Sequence, residues 1–309
     1  MRPPVPAGSR RALSSPGRIA LLVTVSCVWA AHIFLLYSHQ IALEKLPSRP
    51  ADIAPDGVVY QTTNYSCGPA SLATIFGHYH IMKSEREWAD LAGTGIAHGT
   101  SLSGLKQAGW SLGFEPVVLS PSFEQLDLIR LPGILFESRE YHLVTFWGMD
   151  GEGRMIVRDP ILGKTTKGGD EYQLDTLFDP TLLVFYPGRV PICDRESSYR
   201  EIFGFQNMLK GIGYYTGDID GTWSARLRGA ISRFQHDMNL PQTGVVDAAT
   251  SLYIDGVWRL ANQGSAAPFL AIDRVPGSGS TSPMTISITT QSSSATEPRV
   301  RSKVPIPEP

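Results

Sequence analysis

Apolar positions along the chain fall into successive patterns, each predicting a different kind of structure. From Ile19 to Tyr37 no Asp, Glu, Lys or Arg interrupts the apolar run. At ~1.5 Å per residue this helix spans roughly 28 Å, close to the thickness of a bilayer core. Between residues 56 and 187 the runs are short and mixed. Ser71 to Tyr79 follows a polar turn with helical length, whereas His142 to Trp147, Met155 to Val157 and Leu182 to Tyr186 read as strands. From Tyr199 the period becomes helical: Ile202, Phe205, Leu209 and Ile212, then Leu227, Ala230, Phe234 and Met238, recur at spacings of three and four. Beyond Gly264 the chain turns to Ser, Thr, Gly and Pro, as in Gly277-Ser278-Gly279-Ser280 and Ser292-Ser293-Ser294. So little apolar surface cannot offset the entropy of ordering, which predicts a disordered tail.

These shifts divide the chain into a basic segment (1–18), a transmembrane helix (19–37), a Pro-containing linker (38–55), an α+β domain (56–187), a second linker (188–198), a small helical domain (199–262) and the tail (263–309). Arg2, Arg10, Arg11 and Arg18 precede the span with no acidic residue among them, while Glu44, Lys45, Arg49 and Asp52 follow in balance. The positive-inside bias therefore keeps the amino terminus cytoplasmic, making a single-pass protein of the inner (cytoplasmic) membrane whose domains face the periplasm or cell wall. A cleaved signal peptide, with small residues at Ala30-Ala31, is the alternative; the length of the apolar run favours a retained anchor. The formal net charge is −2 and no Arg/Lys stripe with interleaved aromatics appears, which argues against nucleic acid as a partner.

Of the three cysteines, Cys27 lies in the apolar segment, so Cys67 and Cys193 are too few for a disulfide framework, though a single Cys67–Cys193 bridge stays open. Gln61 to Ala70 leads from a polar turn into an apolar helix, which places Cys67 at the helix start. There, unpaired amides and the positive end of the helix dipole favour a thiolate, the nucleophilic form. A buried structural cysteine is the competing reading.

The imidazole comes from Tyr141-His142-Leu-Val-Thr-Phe-Trp147, which a glycine-rich turn joins to Arg154-Met-Ile-Val-Arg-Asp159. With Asp150-Gly151 as a two-residue turn, Val144 opposes Val157, Phe146 opposes Met155 and His142 opposes Asp159. A four-residue loop makes Asp159 the diagonal neighbour of His142 and leaves both on one face. Either way a carboxylate can fix the imidazole so that its other nitrogen exchanges protons with a cysteine and a leaving amine. A surface ion pair across the strands is the alternative. His78, His80 and His98 with Asp90 match no compact metal site, so neither metal nor cofactor is expected.

Gln61 through Ala70, Gly99-Thr-Ser-Leu-Ser-Gly-Leu105, Tyr141-His142-Leu-Val144 and Arg158-Asp159-Pro160 together resemble the bacteriocin-processing, double-glycine leader peptidases, a papain-like family, over about Tyr60 to Tyr186. The resemblance implies a papain-like fold with Cys67 as nucleophile, His142 as general base, Asp159 as its orienter and Gln61 as an oxyanion-hole donor. It supports thiol chemistry on peptide bonds but does not fix a substrate.

The helical domain carries a repeat: Thr216-Gly-Asp-Ile-Asp220 returns as Thr243-Gly-Val-Val-Asp247, each expected to turn and cap into a helix. Asp218 and Asp220 lack the later glutamate of a calcium loop, which favours turn and cap roles. The segment Leu209 to Gly221, with Phe234-Gln235 and Thr243-Gly244, resembles the three-helix peptidoglycan-binding domain of cell-wall enzymes over about Ser198 to Leu260. The expected function is a cysteine endopeptidase whose partners are peptidoglycan, a peptide or protein substrate and the membrane. Two alternatives stand beside it: a catalytically silent scaffold that binds peptides, and a hydrolase of peptidoglycan stem peptides.

Overall fold

The computed structural model describes residues 15–137, 141–175 and 181–262. The expected disordered tail and most of the basic amino-terminal segment lie outside the described residues.

Helix α1 (Ser15–Lys45) contains the apolar run, and Ile19 to Tyr37 is exposed along its length, as a helix that meets lipid rather than protein would be. The helix does not stop where the apolar run does. It continues for two further turns, in which Ser38 and Ala42 are buried, and Leu46 just beyond its end is buried too. The first stretch of the expected linker is therefore a folded part of the protein.

Three helices follow: α2 (Cys67–His78), α3 (Glu85–Leu91) and α4 (Leu102–Ser111). Helix α3 starts in a capping box, with Ser84 accepting from the Glu87 amide and Glu87 reaching back, and Ser101 caps α4 through the Gly104 amide. Among the described residues six strands form one antiparallel sheet: β1 (Phe114–Leu119), β2 (Gly133–Glu137), β3 (His142–Met149), β4 (Met155–Asp159), β5 (Gly163–Lys167) and β6 (Leu182–Pro187). Their order is β1-β6-β2-β3-β4-β5. Strand β6 is buried throughout, as its unbroken Leu-Leu-Val-Phe-Tyr run requires of an interior strand, whereas polar β5 forms an edge. A short helix α5 (Gly169–Asp175) precedes β6.

Alternating strand residues serve two cores. Ile134, Leu143, Leu183 and Phe185 face α2 and α3, where Phe76 stacks on Trp88 with ring centroids 5.1 Å apart. Leu135, Val144, Phe146, Val157 and Val184 face the other way and join one continuous core with α6 (Tyr199–Gly211), α7 (Ala225–Asp237) and α8 (Ala248–Ala261). The helical module is thus docked onto the back of the sheet. Helix α8 lies against the 3₁₀ turn Glu124–Leu128, and its Gly256 abuts the Leu128 carbonyl so closely that no Cβ would fit. Cys193 and Val246 exchange two backbone hydrogen bonds of 2.9 and 2.8 Å, and the Val190 amide donates to Glu115 at 2.6 Å, so these contacts fix the 188–198 segment to both modules.

The repeat behaves as expected in its second copy, where Asp247 caps α8 by accepting from the Thr250 amide at 2.8 Å. The first copy differs. Ser224 caps α7, and Asp220 instead accepts from Gln206 and the Thr222 amide within the turn, because four residues, Gly221 to Ser224, separate it from the helix.

Candidate active site

Helix α2 begins at Cys67, with ten further residues of its twelve buried behind it. Gly68 is needed there because a side chain would collide with Thr100, whose hydroxyl lies 2.7 Å from that of Thr94. Ser71, one turn on, donates to the Leu143 carbonyl at 3.2 Å and so ties the cysteine helix to the strand residue next to His142.

The β3–β4 pairing sets Phe146 opposite Val157 and Thr145 opposite Arg158, with a bulge between Phe146 and Met149. The two-residue turn at Asp150-Gly151 and the four-residue loop are both incorrect: Met149 pairs with Met155 across five residues, and the bulge sets the register beyond it. Asp150 is the reason: its Oδ1 accepts from the amides of Glu152 and Arg154, both at 2.9 Å, so its side chain organises a wider turn. His142 and Asp159 are diagonal neighbours on one face, and the imidazole Nε2 reaches Asp159 Oδ1 at 3.1 Å.

Asp159 is rigidly held. Its Oδ1 also accepts from the amides of Ile161 at 2.6 Å and Leu162 at 3.1 Å across the Pro160 turn. Burial works against the ionised carboxylate, but the imidazole and these two amides outweigh it and keep the carboxyl below its ordinary range. A carboxylate only accepts, so Nε2 carries a proton and Nδ1 is left to exchange one with Cys67, which lies close enough to the ring to act on its charge. Burial disfavours the charged ring, yet Asp159 and Cys67 together raise its pKa to about 10. The structure thus brings buried Cys67, His142 and Asp159 together, with the imidazole hydrogen-bonded to the carboxylate.

Gln61 is held differently. Its backbone amide donates to the Pro160 carbonyl at 3.0 Å, one residue beyond Asp159, and its side-chain Nε2 donates to the Thr63 carbonyl at 2.8 Å. The side-chain oxygen is buried without a hydrogen-bond partner.

Both Cys67 and Cys193 are free thiols, so no bridge joins them; they belong to the two opposite cores. Burial pushes the Cys193 thiol up to about 12, which makes it inert. The ring of His78 packs edge-on against Trp147, with centroids 5.3 Å apart, a packing role. Sequence reasoning missed the Thr94–Thr100 pair behind Gly68 and the two amides on Asp159. The Asp159-Pro160 dipeptide, a turn former, carried the signal for the second.

Residues 56–189 match the model described as "Peptidase C39 family", and residues 201–251 match that described as "Putative peptidoglycan binding domain". An uncharacterized protein of Methanothermobacter thermautotrophicus is 32% identical over 109 residues, covering 35% of this chain and 75% of that protein. The lactococcin-G-processing and transport ATP-binding protein LagD of Lactococcus lactis is 28% identical over 120 residues, covering 37% of this chain and 17% of LagD. The solved peptidase domain of Streptococcus ComA is 25% identical with a TM-score of 0.37, covering 41% of this chain and 96% of that chain.

Proposed function

We propose, for a chain that belongs to the peptidase C39 family over residues 56–189 and carries a peptidoglycan-binding domain over residues 201–251, that it is an active cysteine endopeptidase working outside the cytoplasm from a membrane anchor. The observation that carries this reading is the buried hydrogen bond between His142 and Asp159 beside Cys67 at the start of a helix.

The chemistry follows from that arrangement. The Cys67 thiol passes its proton to His142 Nδ1, and the sulfur attacks the scissile carbonyl carbon, forming a C–S bond as the carbonyl π pair moves to oxygen. The backbone amide of Cys67 and the Gln61 side-chain amide stabilise that oxyanion, for which Gln61 turns from the Thr63 carbonyl. His142 gives its Nδ1 proton to the leaving amine as the C–N bond breaks, then takes a proton from the water that attacks the thioester and returns it to the sulfur as the C–S bond breaks. Asp159 stabilises the imidazolium and holds its tautomer throughout. The anchor places the domain on the outer side of the cytoplasmic membrane, where peptidoglycan is within reach of α6–α8.

The test is labelling of Cys67 in the detergent-solubilised full chain by an electrophilic peptide probe, with Cys67→Ala as control. Labelling at Cys67 with cleavage lost in the variant supports the reading. An unreactive Cys67, or a Cys67→Ser chain with unchanged biological activity, makes the domain a peptide-binding scaffold. The shared core of the two modules favours a second reading, in which stem peptides of peptidoglycan are the substrate. Digestion of purified sacculi, followed by muropeptide analysis, distinguishes it from proteolysis.

A further inference from the structure

The membrane span and the loop behind the nucleophile are in direct contact. Ser38, the first residue after Tyr37, accepts the Ala97 amide on its hydroxyl at 3.0 Å and the Ile96 amide on its carbonyl at 3.4 Å. His39 Nδ1 donates to the Thr94 carbonyl at 2.7 Å. No flexible stretch separates the apolar run from the catalytic domain. A bilayer is ~40–45 Å thick with a core of ~30 Å, so each headgroup layer is roughly 5–7 Å deep, which four residues of helix at ~1.5 Å each cross. The partners of Ser38 and His39 therefore sit at headgroup depth.

A second observation comes from the sequence of the loop. Leu91 to Leu105 contains no Asp, Glu, Lys or Arg in a chain of which 18% is charged, and within it Ile96 and Leu102 are 38% and 42% exposed. An exposed stretch without charge, next to the end of an apolar helix, suits a lipid interface better than open water. The route from there to the sulfur is short. Thr94 bonds Thr100, and Thr100 packs on Gly68 beside Cys67. Two threonines and their contacts put Cys67 on the order of 15 Å from His39.

We propose that the loop from Thr94 to Thr100 rests on the phospholipid surface and holds Cys67 about 15 Å or less above it, so that the substrates are polypeptides lying on or emerging from the bilayer. This rests on the retained anchor and on the peptidase reading. A chain embedded in the same membrane meets such a site at high effective concentration, which a soluble chain does not.

The experiment uses the full chain in vesicles of phosphatidylethanolamine and phosphatidylglycerol that contain a headgroup-nitroxide lipid. With Cys27→Ser and Cys67→Ala, an environment-sensitive fluorophore is attached at Ile96→Cys, at Leu102→Cys or, as a control on the helical module, at Thr216→Cys. The first two labels are expected to be quenched at least about threefold more than the third, since headgroup nitroxides act only near that layer. A flexible Gly-Ser insertion between Tyr37 and Ser38 should bring all three to the same value. Equal quenching without the insertion, or a mature chain whose mass begins after Ala31, overturns the membrane placement. In parallel, a soluble thiol probe is applied to the natural chain in the same vesicles. If Cys67 fails to react while Ile96 remains quenched, the peptidase reading falls and the placement stands. Where cleavage occurs in a co-reconstituted membrane extract, new amino termini absent with Cys67→Ala should cluster within about ten residues of span ends, and scattered termini overturn the substrate class.

Discussion

Two buried polar clusters in this molecule are built to opposite rules. In the helical module Gln206 is wholly buried and saturated: Nε2 donates to Asp220 Oδ1 at 2.9 Å and the Thr222 carbonyl at 3.1 Å, and Oε1 accepts from the amides of Asp220 and Gly221 at 3.0 and 2.8 Å. Gln235 repeats the arrangement in the second copy, bonding the Val245 carbonyl, Thr250 and the Gly244 amide. Around Cys67 the bonding is saturated only on the far side. Asp159 accepts three hydrogen bonds on one oxygen, whereas the Gln61 side chain makes a single bond, from Nε2 to the Thr63 carbonyl, and leaves its oxygen unpaired. Gln206 and Gln235 use both ends of their amides to hold a turn, which suits groups that hold shape, whereas the Gln61 amide is only half engaged in the resting protein.

Substitutions can break that contrast, and the largest expected effect is at the nucleophile. Cys67→Ala should abolish peptide cleavage, a loss on the order of 10⁵-fold or more, while thermal unfolding barely moves, since a small buried side chain is exchanged for another. Asp159→Asn should lower kcat by about 10³–10⁴-fold with KM little changed, because the amide no longer enforces the tautomer that presents Nδ1 to sulfur. Gln61→Ala is expected to cost about 10²–10³-fold in kcat, as for other oxyanion donors, without destabilising the fold. Gln206→Ala should do the reverse: a loss of about 2–3 kcal/mol in urea unfolding, from the unpaired amides of Asp220 and Gly221, with Cys67 still labelled at the natural rate. A smaller effect should appear with pH. His142 titrates near 10 when folded against an ordinary value of 6.5, so folding is favoured by its bound proton. That stabilisation is complete below about pH 6.5 and is lost as pH rises through about 10, so the stability difference between the natural chain and Asp159→Asn in denaturant titrations should shrink over that window.

How much of this was legible in the sequence depended on the range of the interaction. Cys67 could be placed at a helix start because a polar turn and an apolar run are local signals. His142 and Asp159 could be put on one face because the two candidate registers differ by two residues, which preserves strand parity; the side chain of Asp150 decided between them and periodicity says nothing about it. Gln61 was legible only through the family resemblance, since nothing about a lone glutamine on a loop indicates a role. The docked continuation of α1 was not legible, because Ser38, Ala42 and Leu46 form a stripe of mixed polarity that reads as a linker. The shared core of the two modules was hidden for a related reason. Helix α8 buries residues against two partners, and one-dimensional periodicity reports a buried face without naming what covers it.

Gly256, where α8 meets the Leu128 carbonyl, bears on how the whole molecule transmits force. A missing side chain there lets the helical module and the sheet that carries the imidazole pack as one piece. A load applied to the helical module would then act on the whole body and leave the spacing of Cys67, His142 and Asp159 undisturbed. One added methyl group would collide with the Leu128 carbonyl and push α8 off the 3₁₀ turn at that point, putting more of the load on the 188–198 strap.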